Sequence, residues 1–398
     1  MRKFVLLLLA GLAAPAFADS VSQVSRPVTA EQLEQILDTA HGKHDWSVEV
    51  QLSGLLLSER LSEERLAQME AKLPGPASRK ALIRICDEAG FLDLPARDLP
   101  QNAPPDKATQ NSLLTLIVKY VDQKAHALPN FFATRETTRF ETELTQAAIS
   151  DKAIIHKPLS LVEASNTTVF YRNGQELQQN STGKYVKENP SQLKMSSKGE
   201  FSLILATVIG DALHGKVTWS HWEQGSSGLI AVFRYSVAKE SSHFSVFSPD
   251  FTKTRQEFPA YHGEIAANPA DGSILRITVL TDLEPSGQNV RADLLVEYGP
   301  MEIGQRNYIC PLKSVALSVV RNPVQTSEAN FGLFIKQANA AEATPFRMRI
   351  NDTLFTHYHL FRAETRMLTG DEAAAETPSP EPNPDGAKVD EPAKAPQP

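Results

Sequence analysis

The sequence predicts an α+β protein: a small helical N-terminal domain, then a curved, half-barrel-like antiparallel β-sheet with one helix packed on it. Three observations predict this. Apolar residues recur at helical spacing between Val28 and Leu94. From Leu159 to Leu368, short β-branched and aromatic runs alternate with turn residues. Asn173-Gly174 and Asp271-Gly272 each supply the two positive-φ residues of a tight hairpin turn.

Residues 1–18 read as a signal peptide. Arg2 and Lys3 form the basic start, Phe4 to Ala14 the apolar run, and Ala16-Phe17-Ala18 the small-residue cleavage site. That run is shorter than the roughly 18 residues a transmembrane helix needs, and no later stretch approaches this length. No cysteine follows the run to take a lipid anchor. The expectation is an exported, soluble chain, periplasmic or extracellular. Its 398 residues, 41% of them hydrophobic, are enough for a sizeable core. The net charge of −7 argues against general nucleic-acid binding, which needs a basic face.

Residues 28–97 form the expected helical domain. Thr29 and Gln32 make a capping box for a helix whose Leu33, Ile36, Leu37 and Ala40 share a face, and Gly42 stops it. Trp46–Leu57 and Ser62–Lys72 continue the helical reading, with Glu63 and Glu64 in a first turn where acids are favoured. Pro74-Gly75-Pro76 breaks the chain before a stripe of Ala81, Leu82, Ile85, Cys86 and Ala89, which ends at Gly90.

Residues 98–108, with Pro100, Pro104 and Pro105, read as a linker to the β-rich domain at 109–368. That domain opens with a helix over Thr109–Ala127, striped by Leu113, Leu116, Ile117, Tyr120 and Val121. Thr-rich Phe131–Phe140 reads as a strand at a sheet edge. A polar loop at 178–197 leads to a helix over Gly199–His214, with Phe201, Ile204, Leu205, Val208 and Ile209 on one side. Strands are expected at Lys216–Glu223, Leu229–Val237, His243–Phe247, Ile274–Leu280, Ala292–Tyr298, Tyr308–Val320 and Leu354–Met367, with Gly225–Gly228 as a hairpin loop. Leu229–Phe233 is apolar on both faces, so it must be covered twice. Residues 369–398 form an acidic Pro/Ala-rich tail without aromatics, expected to be disordered.

No segment carries a complete catalytic pattern. A serine nucleophile needs a G-x-S-x-G elbow or a base within reach, and Gly225–Gly228 lacks that spacing. Glu223, Glu264, Asp293 and Glu297 are the carboxylates available for glycoside hydrolysis, and sequence places no two of them together. His357 and His359, two apart on a strand, share a face. A metal site would need a third ligand from His221, His243 or His262. Cross-strand polar pairing is the plainer reading, so no metal, cofactor or catalytic residue is assigned. Cys86 and Cys310 are either a disulfide favoured by export or two buried thiols. Around Trp219-Ser220-His221-Trp222-Glu223, alternation puts Val217, Trp219 and His221 on one face and Trp222 on the other. Trp219, Phe233 and Tyr235 would then line a concave apolar surface, as ordinary core or as a ligand site.

The stretches Leu128–Phe140, Trp219–Glu223 leading into Ala231–Tyr235, and Tyr261–Ile265 with Val290–Asp293 resemble a group of uncharacterised exported bacterial proteins. At fold level, the order of helix, strands, helix and long meander resembles the lipoprotein-carrier domains of the LolA, LolB and RseB type. That likeness implies a half-open barrel around a helix that cradles acyl chains. The chain departs from it in its helical region before Asp98 and in its tail.

The expected function is an exported, non-enzymatic binding protein that holds an apolar ligand or lipid acyl chain on the concave sheet. The alternative is an envelope scaffold or protein-interaction module that works through the N-terminal helices, and a weaker one is a hydrolase. An exposed apolar patch on the helices would favour the second, and converging carboxylates in a pocket the third.

Overall fold

The computed structural model describes residues 24–40, 42–123, 127–145, 148, 156–179, 185–186, 197, 199–249, 254–284, 286–322 and 345–361. The expected signal peptide and the 369–398 tail lie outside them.

Four helices build the N-terminal layer: α1 (Ala30–Asp38), α2 (Asp45–Ser53), α3 (Glu63–Ala71) and α4 (Pro76–Ala89). The capping box forms as expected, with the Thr29 side chain accepting from the Gln32 amide and the Gln32 side chain from the Thr29 amide. Gly75 has no side chain to cap α4. Instead the Asp45 carboxylate accepts from the Ala77 and Ser78 amides, both at 2.9 Å. Leu33, Leu37, Val48, Leu52, Met69, Leu82 and Ile85 pack into one core.

The expected helix over Trp46–Leu57 ends at Ser53. Leu55–Leu57 is a strand, β2, paired in parallel with β1 (Arg26–Val28), and all three leucines are buried. Three successive apolar residues can all be buried in a strand covered on both faces, but not on a helix with one solvent face.

Residues 99–106 carry no helix or strand. They lead to α5 (Lys107–Gln123), which Asp106 opens by accepting from the Thr109 amide at 2.7 Å. The sheet follows as β3 (Phe131–Leu144), β4 (Ser160–Arg172), β5 (Gln175–Gln179), β6 (Tyr185–Val186), β7 (Lys216–Gly225) and β8 (Gly228–Val237). A separate hairpin of β9 (Val246–Pro249) and β10 (Thr254–Glu257) intervenes. The sheet resumes with β11 (Ala260–Ala267), β12 (Ile274–Asp282), β13 (Asn289–Ile303), β14 (Arg306–Arg321) and β15 (Phe346–Leu360). Among the described residues, the order 6-5-4-3-15-14-13-12-11-8-7 makes eleven antiparallel strands, and the sheet is not closed. Helix α6 (Leu203–His214) joins its two halves. The protein is α+β, as the sequence predicts.

Turn chemistry explains much of the register. Asn173 and Gly174 have φ of 51° and 80°, the pair a type I′ turn requires. Gly304 and Gln305 (59° and 67°) make a second such turn, which the sequence reading missed, and they extend β13 and β14 into a long hairpin. Asp271-Gly272 does not repeat the device. Only Gly272 has positive φ, and it sits in a wider loop closed by the Asn268 amide to the Ser273 carbonyl at 2.9 Å. β3, expected at an edge, lies between β4 and β15. Its polar side chains are used across the sheet, Thr137 with Thr353 and Arg139 with Asn351, each at 3.1 Å.

The sheet is covered twice. On one face, Ile117 of α5 and Ile204, Leu205 and Val208 of α6 pack on Phe233, Tyr261, Ile277 and Val296. Phe201, just before α6, extends this layer over Phe131, Tyr171, Phe355 and Tyr358. On the other face, Phe91 after α4 packs with Leu295, Val315 and Leu317. Helices and sheet belong to one compact unit that ends at Leu360.

Candidate functional site

The three residues expected to line a ligand surface lie beneath the protein's own helices. Phe233 is fully buried, and the Tyr235 hydroxyl donates to the Thr278 carbonyl at 2.7 Å. Trp219 packs edge-on to Phe233 with ring centroids 5.3 Å apart. All three belong to the core under α5 and α6.

A β-bulge overturns the expected alternation along β7. Trp219 pairs with Phe233, but His221, two residues on, pairs with Val232, so the register shifts by one. Trp222 therefore joins Trp219 on the helix-covered face, with their rings 4.7 Å apart. His221 turns to the opposite face with Glu223.

That opposite face, under α3 and α4, carries a charged seam. Glu223 accepts from Arg276 at 2.8 and 2.9 Å, from Arg60 at 2.6 Å, and is hydrogen-bonded to His221 at 3.0 Å. Burial opposes its charge, but Arg276, His221 and Arg60 together outweigh burial and hold Glu223 far below the usual carboxylate range. Farther along the sheet, Lys313 pairs with Asp87 of α4 and lies 3.6 Å from Asp352. Burial pushes the Asp87 carboxyl well up, with the Lys313 charge opposing it. A cavity of about 120 Å³ between the layers is lined by Arg60, Cys86, Asp87, Glu223, Arg276 and Lys313 among others. Small-molecule sites begin near about 300 Å³, so the seam reads as the join between two layers.

Ser220, His221 and Glu223 touch in sequence: Ser220 Oγ lies 2.8 Å from His221 Nδ1, and His221 Nε2 lies 3.0 Å from Glu223. The order imitates a hydrolase relay. Two guanidiniums already compensate Glu223, however, which leaves it little charge to stabilise an imidazolium. Of the other candidate carboxylates, Glu297 lines the same cavity and two are engaged by arginines. Glu264 meets Arg234 at 3.3 Å and Arg276 at 3.5 Å, and Asp293 pairs with Arg291.

The histidines do not converge. A second bulge places His357 at φ 51°, turns Tyr358 into the core, and sets His359 beside the Phe132 ring at 5.2 Å. His243 pairs with Asp211 at 2.6 Å and His262 with Asp282 at 3.2 Å. Among the described residues, no group of three potential ligands could hold a metal. Cys86 and Cys310 are free thiols on opposite faces of the sheet, and burial pushes Cys310 up to about 12.

The sequence reading missed an exposed ridge on α2. Trp46 and Val50 are 65% and 64% exposed, while Val48 and Leu52 of the same helix are buried. The signal was present: apolar residues at 46, 48, 50 and 52 repeat every two positions, so a helix must show some of them on each side. Positions 46 and 50, four apart, form one ridge.

No family model, curated protein or solved structure matches the chain. Among the described residues, no helix is long and apolar enough to cross a membrane.

Proposed function

We propose that the chain is an exported, non-enzymatic binding protein whose N-terminal helices dock a partner protein. One observation carries this reading: Trp46 and Val50 stand side by side on α2, each about two-thirds exposed, and neither contributes to the helical core. Large apolar residues paired on a surface are characteristic of contact sites, and Trp is the residue most enriched at their energetic centres. Export rests on the basic, apolar and small-residue pattern of residues 1–18.

The likeness to lipoprotein carriers supports a second reading, an apolar ligand against Trp219, Phe233 and Tyr235. Such a ligand would have to displace α6, which already packs on that surface.

The test is a photo-crosslinking amino acid at position 46, with the protein made in its own cells and position 354 as an exposed control on the sheet. The expected result is a discrete adduct with one other protein from position 46 and none from 354. No adduct from 46 would overturn the proposal. A lipid-sized mass co-purifying with the mature chain would favour the ligand reading instead.

A further inference from the structure

A buried carboxylate, Glu200, and a largely buried one, Glu176, converge on one guanidinium where the chain enters α6. Arg135 Nη2 of β3 donates to Glu200 Oε2 at 2.9 Å and lies 3.6 Å from Glu176 Oε2 of β5. The Glu200 side chain has no exposure and that of Glu176 14%. Glu176 also accepts from the Gly199 and Phe201 amides, at 3.2 and 3.1 Å, so it grips the segment that holds Phe201 in its aromatic cluster. Glu200 accepts from Ser197 at 2.5 Å and from Ser314 at 3.3 Å.

We propose that Glu176, Glu200 and Arg135 form a pH-responsive clasp that loosens Gly199–Ser202, and with it the start of α6, as pH rises through neutrality. Two like charges in a dry site compete for one cation, so the closed clasp favours holding a proton that the open, solvated one releases. Burial, then the Glu200 charge, pushes Glu176 up to about 7, with Arg135 opposing; that proton belongs to the pair. Among the described residues, the other titratable groups facing the clasp stay neutral across this range. Burial raises Tyr171, Tyr298, Tyr358 and Cys310, the last to about 12.

The sign follows from linkage. Glu176 is raised from 4.5 to about 7 in the closed state. The closed clasp therefore holds the extra proton between those values, and its advantage is lost as pH rises. Below about 4.5 it is complete. Above about 7 it is gone, and the opening constant is then larger by roughly 300-fold, at about tenfold per pH unit.

The experiment is amide hydrogen exchange on the intact protein between pH 5 and 8, read as protection factors corrected for intrinsic exchange. Phe201, Ile204 and Ala206 are compared with Leu317 in the middle of β14. Protection at the first three should fall with pH and level off above 7, while Leu317 stays flat. Glu176→Gln should abolish the slope, because an amide cannot titrate. Equal slopes at all four amides, or an unchanged slope in E176Q, would overturn the proposal. Should E176Q fail to fold, carbon-detected titration of the Glu176 carboxyl in the wild type decides. A midpoint near 7 supports the clasp, and one between 4 and 5 overturns it.

Discussion

Arg60 reaches out of the helical layer to Glu223 on β7 at 2.6 Å, and their side chains keep only 11% and 6% of their exposure. Desolvating two charges is costly, and the pair persists because Arg276 and His221 complete the site. This contact joins the two halves of the sequence, since its partners lie 163 residues apart.

Removing the carboxylate should therefore be far worse than removing a surface ion. Glu223→Gln leaves the largely buried Arg60 without a counter-charge and Arg276 with only its longer contact to Glu264 at 3.5 Å, and is expected to lower stability by about 3–5 kcal/mol in urea unfolding. Arg234→Ala breaks an exposed pair with Asp93, where the side chains are 53% and 78% exposed, and should cost less than about 1 kcal/mol. Equal effects would refute the view that the seam is a buried structural join.

Gly272 and Gly174 separate packing from backbone strain. Both have positive φ, so alanine is strained at each by about 1 kcal/mol. A Cβ at Gly174 meets nothing within 4 Å, whereas one at Gly272 would fall 2.4 Å from the Leu116 carbonyl carbon in α5. Gly272→Ala should thus destabilise by at least 1 kcal/mol more than Gly174→Ala, measured as the difference in urea midpoints at equal m-value.

His156 gives the helical layer a pH-dependent tie. Burial disfavours its charge, yet the hydrogen bond and charge of Glu88 at 2.5 Å outweigh burial and raise its pKa. A raised histidine stabilises fully below its unfolded value near 6.5 and loses that contribution as pH climbs through the folded value. Stability of the wild type relative to Glu88→Gln should accordingly shrink between pH 6 and 8. A constant difference would sink this account.

Core and ridge residues should respond oppositely to truncation. Phe233→Ala, fully buried, is expected to cost about 3–5 kcal/mol. Trp46→Ser with Val50→Ser, both exposed, should stay within about 0.5 kcal/mol of wild type while losing the position-specific partner contact. A large loss of stability in the double variant would make the ridge part of the fold.

Local chemistry was legible in the sequence wherever it decides the outcome alone. The Thr29 capping box, the Asn173-Gly174 turn and the striped helix, expected over Thr109–Ala127 and found at Lys107–Gln123, all depend on neighbours within a few residues. So does the α+β class, which follows from the change of apolar period along the chain. Leu55–Leu57 was misread because its strand exists only through pairing with Arg26–Val28. β3 was misread because its threonines and arginines resemble an edge until β4 and β15 are placed beside it.

Tertiary structure alone decided which side chains meet. Alternation assumes a constant period of two, and one extra residue at the β7 bulge exchanges the faces of His221 and Trp222. The Arg60–Glu223 and Arg135–Glu200 pairs join residues too far apart for any local pattern to register. By itself the sequence determined the local elements and their class. Long-range pairing decided the charged seam, the filled sheet and the exposed ridge, because a buried charge is stable only where the rest of the chain brings it a partner.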